Sequence, residues 1–180
     1  MPTYVALLRG INVGGNPLKM RRLVEICDAL GFAHTTTLLQ SGNVVFDSAD
    51  ALATLPTLIE NALAGETRLP VAVVVRSATQ MKKIVAGNPF LAEKDIDPYT
   101  LHVTYLSRPA SKAALKELNA IKAGADRFHA TSREIYLHCP MGYGQTKLSN
   151  KAIENILDMK TTTRNWNTTR TLTDLAGQSR

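Results

Sequence analysis

The chain has 180 residues, 44% hydrophobic and 20% charged, with a formal net charge of +6; a chain of this size buries roughly 70% of the surface its unfolded form exposes and folds without staples. Its longest apolar run is LPVAVVV at 69–75, far short of the roughly 20 residues that span a bilayer, so no membrane helix or membrane partner is expected. MPTYVALLRG has neither a basic segment before its apolar stretch nor a small-residue cleavage site after it, which argues against a secretory signal and makes the cytoplasm the expected setting.

TYVALLRG reads as a buried strand. In PLKMRRLVEICDALG, Met20, Leu23, Val24, Cys27 and Leu30 share one helical stripe, with Pro17 near its start and Gly31 at its end. HTTTLLQ and NVVFDS predict two short strands joined at SGN, a stretch suited to a tight hairpin or a bulge. ALATLPTLIENALAG follows as a helix that Pro56 interrupts or starts late, and PVAVVVRS as a fourth strand. The order β-α-β-β-α-β is the split βαβ arrangement of ferredoxin-like domains.

Beyond residue 76 the signals run helix (SATQMKKIVAG), loop (NPFLAEKDIDPY), strand (LHVTYLS), helix (KAALKELNAI), hairpin (ADRFHATS, then EIYLHCP) and two helices, the last with Thr162 or Thr163 as N-cap. The β-α-β-β-α order recurs, although no sequence repeat marks a duplication. The expected fold class is therefore α+β, two ferredoxin-like (split βαβ) halves with C-terminal helices. Residues 1–87 would form a βαββαβ unit plus the following helix, and 88–180 a second α+β unit ending in two helices.

ALLRGINVGGN at 6–16, LGF at 30–32, LLQSGNVVF at 38–46, NPF at 88–90, GYGQTKLSN at 142–150 and TTRNWNTTRTLTDLA at 162–176 together resemble a widespread bacterial family, the domain of unknown function numbered 1697. The resemblance spans nearly the whole chain, with RGINVGG, QSGNV and TRNWNT its most specific parts. It implies an α+β fold with ferredoxin-like character and a cytoplasmic setting, and it supplies no activity, so function has to be argued from the residues.

LLRGINVGGNPLKM, residues 7–20, carries glycines from a strand into a basic helix, but matches neither the GxxxxGK[ST] phosphate loop nor the GxGxxG dinucleotide fingerprint. It keeps the Arg9 cation, the Asn12 amide, Gly14 and Gly15 with access to positive φ, and a helix N-terminus soon after, a set able to hold an anion. The plainer reading is a turn in which Arg9 and Asn12 bond backbone carbonyls. In LLQSGNVVF, Gln40, Ser41 and Asn43 form a second polar group; local side-chain to backbone bonds explain it as well as a ligand does. The strand order is expected to place this turn and the first loop at opposite ends of the sheet unless a bulge intervenes.

TTTRNWNTTRTLT gathers seven threonines around the chain's one tryptophan. With a helix starting at Thr162 or Thr163, its first turn would offer Arg164, Asn165 and Asn167 to an anion with Trp166 as a wall; alternatively Trp166 anchors the helix and the asparagines are caps. GYGQTK at 142–147 fits no phosphate motif and reads as a turn before a helix. Cys27 and Cys139 lack metal-ligand spacing and read as buried thiols, so neither a metal nor a disulfide is indicated. None of the four histidines sits in a motif; catalytic residues and any cofactor stay unknown, and whether the protein is an enzyme is left open.

Two functions compete: a site for a small phosphate- or carboxylate-bearing ligand, and a nucleic-acid-binding module. Residues 1–76 are electrically neutral and 77–180 carry the whole +6; such a bias favours an anionic partner, yet it is spread thinly over helices such as SKAALKELNAIK, where alternating charge reads first as a solvated face. Against nucleic acid, SGNVVFDS presents Asn43 and Val45 where an RNA recognition motif stacks bases on rings, and aromatics are only 6% of the chain, too sparse for a single-strand channel. The small ligand is the expected partner.

Overall fold

The computed structural model describes residues 1–178, and the chain divides into two compact units. Unit 1 is Met1–Lys83 with the chain from Thr171 on, and unit 2 is Ile84–Arg170.

Unit 1 is built on β1 (Thr3–Arg9), α1 (Met20–Ala29), β2 (Ala33–Leu38), β3 (Asn43–Asp47), α2 (Leu55–Leu63) and β4 (Ala72–Ser77), with α3 (Ala78–Ala86) following. Its sheet has the order β2-β3-β1-β4 and every pairing is antiparallel. Alternate residues Tyr4, Ala6 and Leu8 of β1, with Val44 and Phe46 of β3 and Val73 and Val75 of β4, meet Leu23, Ile26 and Cys27 of α1 and Leu55, Ile59 and Leu63 of α2 in one core, as the two-residue strand period and the helical i, i+3, i+4 stripe require. The Phe32 and Phe46 rings stack at 4.3 Å inside it. Gly31, at φ +81°, ends α1 in the left-handed conformation that closes many helices. Pro56 sits in the first turn of α2, where it lacks only an N–H that would have gone unbonded, so it starts the helix and does not interrupt it.

Unit 2 repeats the plan with β5 (Leu101–Leu106), α4 (Lys112–Asn119), β6 (Arg127–Ala130), β7 (Glu134–His138), α5 (Asn150–Leu157), β8 (Thr161–Asn165) and the start of α6 (Trp166–Gly177). Its sheet order, β6-β7-β5-β8, is the order of unit 1 element for element, again antiparallel throughout. Leu106, Leu118, Ile135, Leu137, Cys139, Leu148, Ile153 and Leu157 form its core. Two 3₁₀ turns, Pro89–Ala92 and Pro98–Thr100, precede β5; the side chains of Asn88 and Asp97 cap them.

One expected element changes identity. Thr161–Asn165, read above as a helix start capped by Thr162 or Thr163, is strand β8, paired along β5 from Leu106↔Thr161 to His102↔Asn165. Consecutive β-branched threonines suit a pleated, buried edge better than a helical turn; the helix begins only at Trp166, and Asn165 is its cap, its Oδ1 accepting the Thr168 N–H at 2.8 Å. With β8 in place the second half is a full β-α-β-β-α-β-α repeat of the first. The fourth strands also end alike. Arg76 of β4 and Arg164 of β8 are both buried, lie opposite Val5 and Val103 respectively, and donate from Nη1 to the carbonyl of the preceding residue at 3.0 Å.

Among the described residues no helix is long and apolar enough to cross a membrane, and no group of three or more His, Cys, Asp or Glu is placed to hold a metal ion.

Candidate functional site

β1 of unit 1 ends at Arg9, and the chain reaches α1 ten residues later through 10–19. Two asparagines organise this loop. Asn12, in the left-handed region at φ +54°, accepts the Leu18 N–H on Oδ1 at 2.8 Å and donates from Nδ2 to Leu18 O at 2.9 Å and to Gln40 O at 2.6 Å. Asn16 is buried; it donates to Gly10 O at 2.8 Å and to Leu69 O at 3.3 Å, and accepts the Leu69 N–H at 3.1 Å. One loop is thus tied to the β2–β3 turn and to the α2–β4 connection.

The first loop and the QSGN turn therefore meet at one end of the sheet, against the expectation that they lie at opposite ends. In a fully antiparallel β2-β3-β1-β4 order, β1 and β2 run the same way, so the loop leaving β1 and the turn leaving β2 share an edge. The Leu8 N–H donates to Gly42 O at 2.8 Å across it. Gly42 has to be glycine: at φ +81° a Cβ would stand 2.6 Å from Ile11 Cδ1 and 2.8 Å from Leu8 Cβ. Asn43 is buried and spends its Nδ2 on Leu38 O at 2.7 Å and Ser41 Oγ at 3.0 Å, so it shapes the turn. The Gln40 side-chain amide makes no hydrogen bond among the described residues and is exposed.

The tip of the loop is what the asparagines leave over. Asn12 N–H is bonded to Asn16 O at 2.7 Å and Asn16 N–H to Val13 O at 3.2 Å, whereas the N–H groups of Val13, Gly14 and Gly15 meet no acceptor among the described residues. Gly14 and Gly15 have φ +58° and +78°, and all three residues are exposed. Arg9 and Lys19 bracket the loop, which contains no acidic residue. Successive free N–H groups with a cation at hand and no carboxylate are the elements of an anion cradle.

The second group, in unit 2, is built otherwise. Arg164 is buried and directs Nη1 to Thr162 Oγ1 at 2.7 Å, Asn165 caps α6, and Trp166 is 2% exposed, an anchor for the helix within the protein interior. Asn167 is exposed on the first turn of α6. In GYGQTK, Thr146 donates to Asp126 Oδ2 at 2.6 Å and accepts the Leu148 N–H at 3.1 Å, a turn that leads to the Ser149 cap of α5.

Two polar clusters carry no sequence motif. In unit 1 His34 Nδ1 lies 2.8 Å from the largely buried Asp47 carboxylate, which also accepts from Thr3 Oγ1 at 2.6 Å. In unit 2 Arg127 forms a two-pronged pair with Glu93 at 2.8 and 3.0 Å, sits 5.2 Å above the Phe90 ring and reaches His138 Nδ1 at 3.3 Å. The hydrogen bonds from Arg127 hold the Glu93 carboxyl below its ordinary range, and burial, then the Arg127 charge, lowers His138. Glu93 and Arg127 border a groove of about 500 Å³ between Phe90, Asn119, Asp126 and Phe128. Glu93 and Arg127 are 34 positions apart in sequence, which is why no local pattern reveals the pair.

Two split βαβ units in tandem, the first carrying an asparagine-knit loop with free backbone donors, define a repeated α+β protein with a candidate anion site in its N-terminal unit. The chain belongs to the family described as protein of unknown function (DUF1697), whose model matches residues 1–136. Among solved structures it is similar to that of the conserved bacterial protein SP0830 from Streptococcus pneumoniae, at 19% identity over 99% of each chain with a TM-score of 0.80; at that identity the likeness shows the fold. No curated protein matches the chain.

Proposed function

We propose that the protein binds a small anionic ligand, a phosphate or carboxylate group, at the β1–α1 loop of unit 1. The observation that carries this reading is the run of three unbonded N–H groups at Val13, Gly14 and Gly15, held by a scaffold that consumes both asparagine side chains to keep the tip in place. The fold itself does not require the loop. Unit 2 turns the equivalent corner, from β5 to α4, with the five residues 107–111, half the length used in unit 1. Arg9, Lys19 and the free amide of Gln40 supply charge and side-chain donors, and a charge-assisted hydrogen bond is roughly twice as strong as a neutral one.

A ligand that binds only the folded chain raises the melting temperature by mass action, about 2.7 kcal/mol at 100 times its dissociation constant. Thermal melting against inorganic phosphate, methyl phosphate and acetate is expected to show such a shift for at least one of them. Arg9→Ala and Gln40→Ala should each weaken it about ten-fold, the loss of roughly 1.4 kcal/mol that a charged or well-aligned hydrogen bond supplies. If none of the three anions moves the melting point at 20 mM, the reading fails.

A further inference from the structure

Beside the loop, unit 1 contains a cavity of about 360 Å³ walled by Leu63, Leu69, Pro70 and Val71, with Arg68 and Glu60 as its charged members. It is joined to the loop directly, because Leu69 is both a wall of the cavity and the residue that Asn16 holds through two hydrogen bonds. Glu60 is committed to the fold, its Oε1 accepting the Val73 N–H at 2.8 Å, and Arg68 is exposed. The space is thus largely aliphatic, with a cation at its edge and its carboxylate turned to the backbone of β4.

The residues around the tip are aliphatic too. Val13, Leu39 and Leu69 are 64%, 59% and 57% exposed, one on each of the three segments that Asn12 and Asn16 tie together. Single exposed aliphatic residues need no explanation; three on one hydrogen-bonded rim do. Leu39 adds a second cost, since it holds φ +60°, a conformation in which a branched side chain is strained and glycine or asparagine would serve the turn better. The cavity wall is also an addition to the common plan: α2 is linked to β4 by the eight residues 64–71, where α5 reaches β8 through the three residues 158–160.

We infer that the ligand of the β1–α1 loop is amphiphilic: an anionic head on the N–H groups of Val13, Gly14 and Gly15, joined to a short aliphatic body that lies over Val13 and Leu69 and enters the cavity against Leu63, Pro70 and Val71. This rests on the anion-binding reading of the loop and narrows its ligand class to alkyl or acyl phosphates and short-chain carboxylates. Sugar phosphates and nucleotides, whose bodies are hydroxylated or flat and polar, lose the aliphatic contact. A cavity of this volume sits at the lower end of small-molecule sites, so the body is a few methylenes and not a full lipid chain.

The test compares methyl phosphate, hexyl phosphate and hexanol on the wild-type chain, with hexyl phosphate kept below its micelle concentration as checked by light scattering. Calorimetric titration is expected to give hexyl phosphate at least ten-fold tighter than methyl phosphate. In Leu69→Gln, an exposed position whose change leaves the unliganded melting point near wild type, that ratio should fall below about three while methyl phosphate binds as before; Leu69→Met should restore it. Equal binding of methyl and hexyl phosphate would overturn the inference and leave the anion site standing. Hexanol binding as tightly as hexyl phosphate would overturn it as well, since the head would then contribute nothing. If neither phosphate binds, the anion reading itself fails and takes the inference with it.

Discussion

At the edge of the sheet where the first strand gives way to the first helix, unit 1 places ten residues (10–19) and returns through eight more (64–71), while unit 2 makes the same two connections in five (107–111) and three (158–160). At the other edge the proportions reverse. Unit 2 has seven residues (120–126) between α4 and β6 and eleven (139–149) between β7 and α5, where unit 1 has three (30–32) and seven (48–54). Between these edges the units agree in strand order, in pairing direction and in a buried arginine at the end of the fourth strand. Chain added outside a core costs conformational entropy without returning buried area, so its placement marks where each unit departs from mere folding. In unit 1 it builds the loop and the 360 Å³ cavity; in unit 2 it builds part of the groove beside Asn119, Asp126 and Arg127. One plan has been elaborated twice, at opposite ends of its own sheet.

The comparison can be broken most forcefully at the turn both units share. The first strand bonds the hairpin turn in each, Leu8 N–H to Gly42 O at 2.8 Å and Leu106 N–H to Arg133 O at 2.9 Å, but only Gly42 has no room for a Cβ. Gly42→Ala should destabilise the protein by about 2–4 kcal/mol, combining left-handed strain with overpacking, whereas Arg133→Ala, at an exposed position, should stay within about 0.5 kcal/mol. Urea denaturation measures both, and equal midpoints for the two variants would contradict the geometry. A smaller effect tests the knitting of the long loop. Asn16→Ala leaves Gly10 O and Leu69 N–H without their partner, while Leu69 O keeps the Thr67 hydroxyl at 2.9 Å, and is expected to cost about 2 kcal/mol, with faster amide exchange at Leu69; unchanged exchange there would mean that the α2–β4 connection stands without the asparagine.

The smallest effect separates the units by pH. Burial lowers the pKa of His102 on β5, whose ring stacks on Tyr143 at 5.0 Å. Because the folded-state value is depressed, the unfolded chain takes up the proton first as pH falls. Stability tied to the neutral ring is therefore complete above about 6.5, the ordinary histidine value, and is lost as pH drops through it toward the folded value. His138, lowered in the same direction, adds to the effect. The melting temperature should fall between pH 7.5 and 5, and fall less in His102→Gln; identical slopes would remove His102 from the account.

Much of this fold could be read in the sequence because its signals are local. Met20, Leu23 and Cys27 on one stripe, Gly31 behind them and the β-branched and aromatic run in NVVFD each declare their element without help from distant residues. The failures have the opposite cause. TTTRN is a strand because β5 lies beside it, and the neighbouring Trp166 and Asn167, which do start a helix, drew the threonines into the wrong reading. The meeting of the first loop with the QSGN turn follows from strand direction, a property of the whole sheet. Nothing local marks Asn16, which is buried and reaches 53 positions along the chain to Leu69. Of the candidate site, the glycines and Arg9 were legible, while the cavity and its aliphatic rim were not, since Val13, Leu39 and Leu69 acquire meaning only when three loops converge.

The two cysteines give this architecture an unforeseen use. Cys27 lies in the core of unit 1 and Cys139 in that of unit 2, both fully enclosed, and burial pushes their thiols up to about 12 and about 11 respectively. A thiol so placed is chemically silent until its surroundings part. Each repeat therefore has its own clock: with excess alkylating reagent, the rate of labelling at each cysteine counts the openings of its unit, and their ratio reports whether the two halves of the chain breathe together or apart.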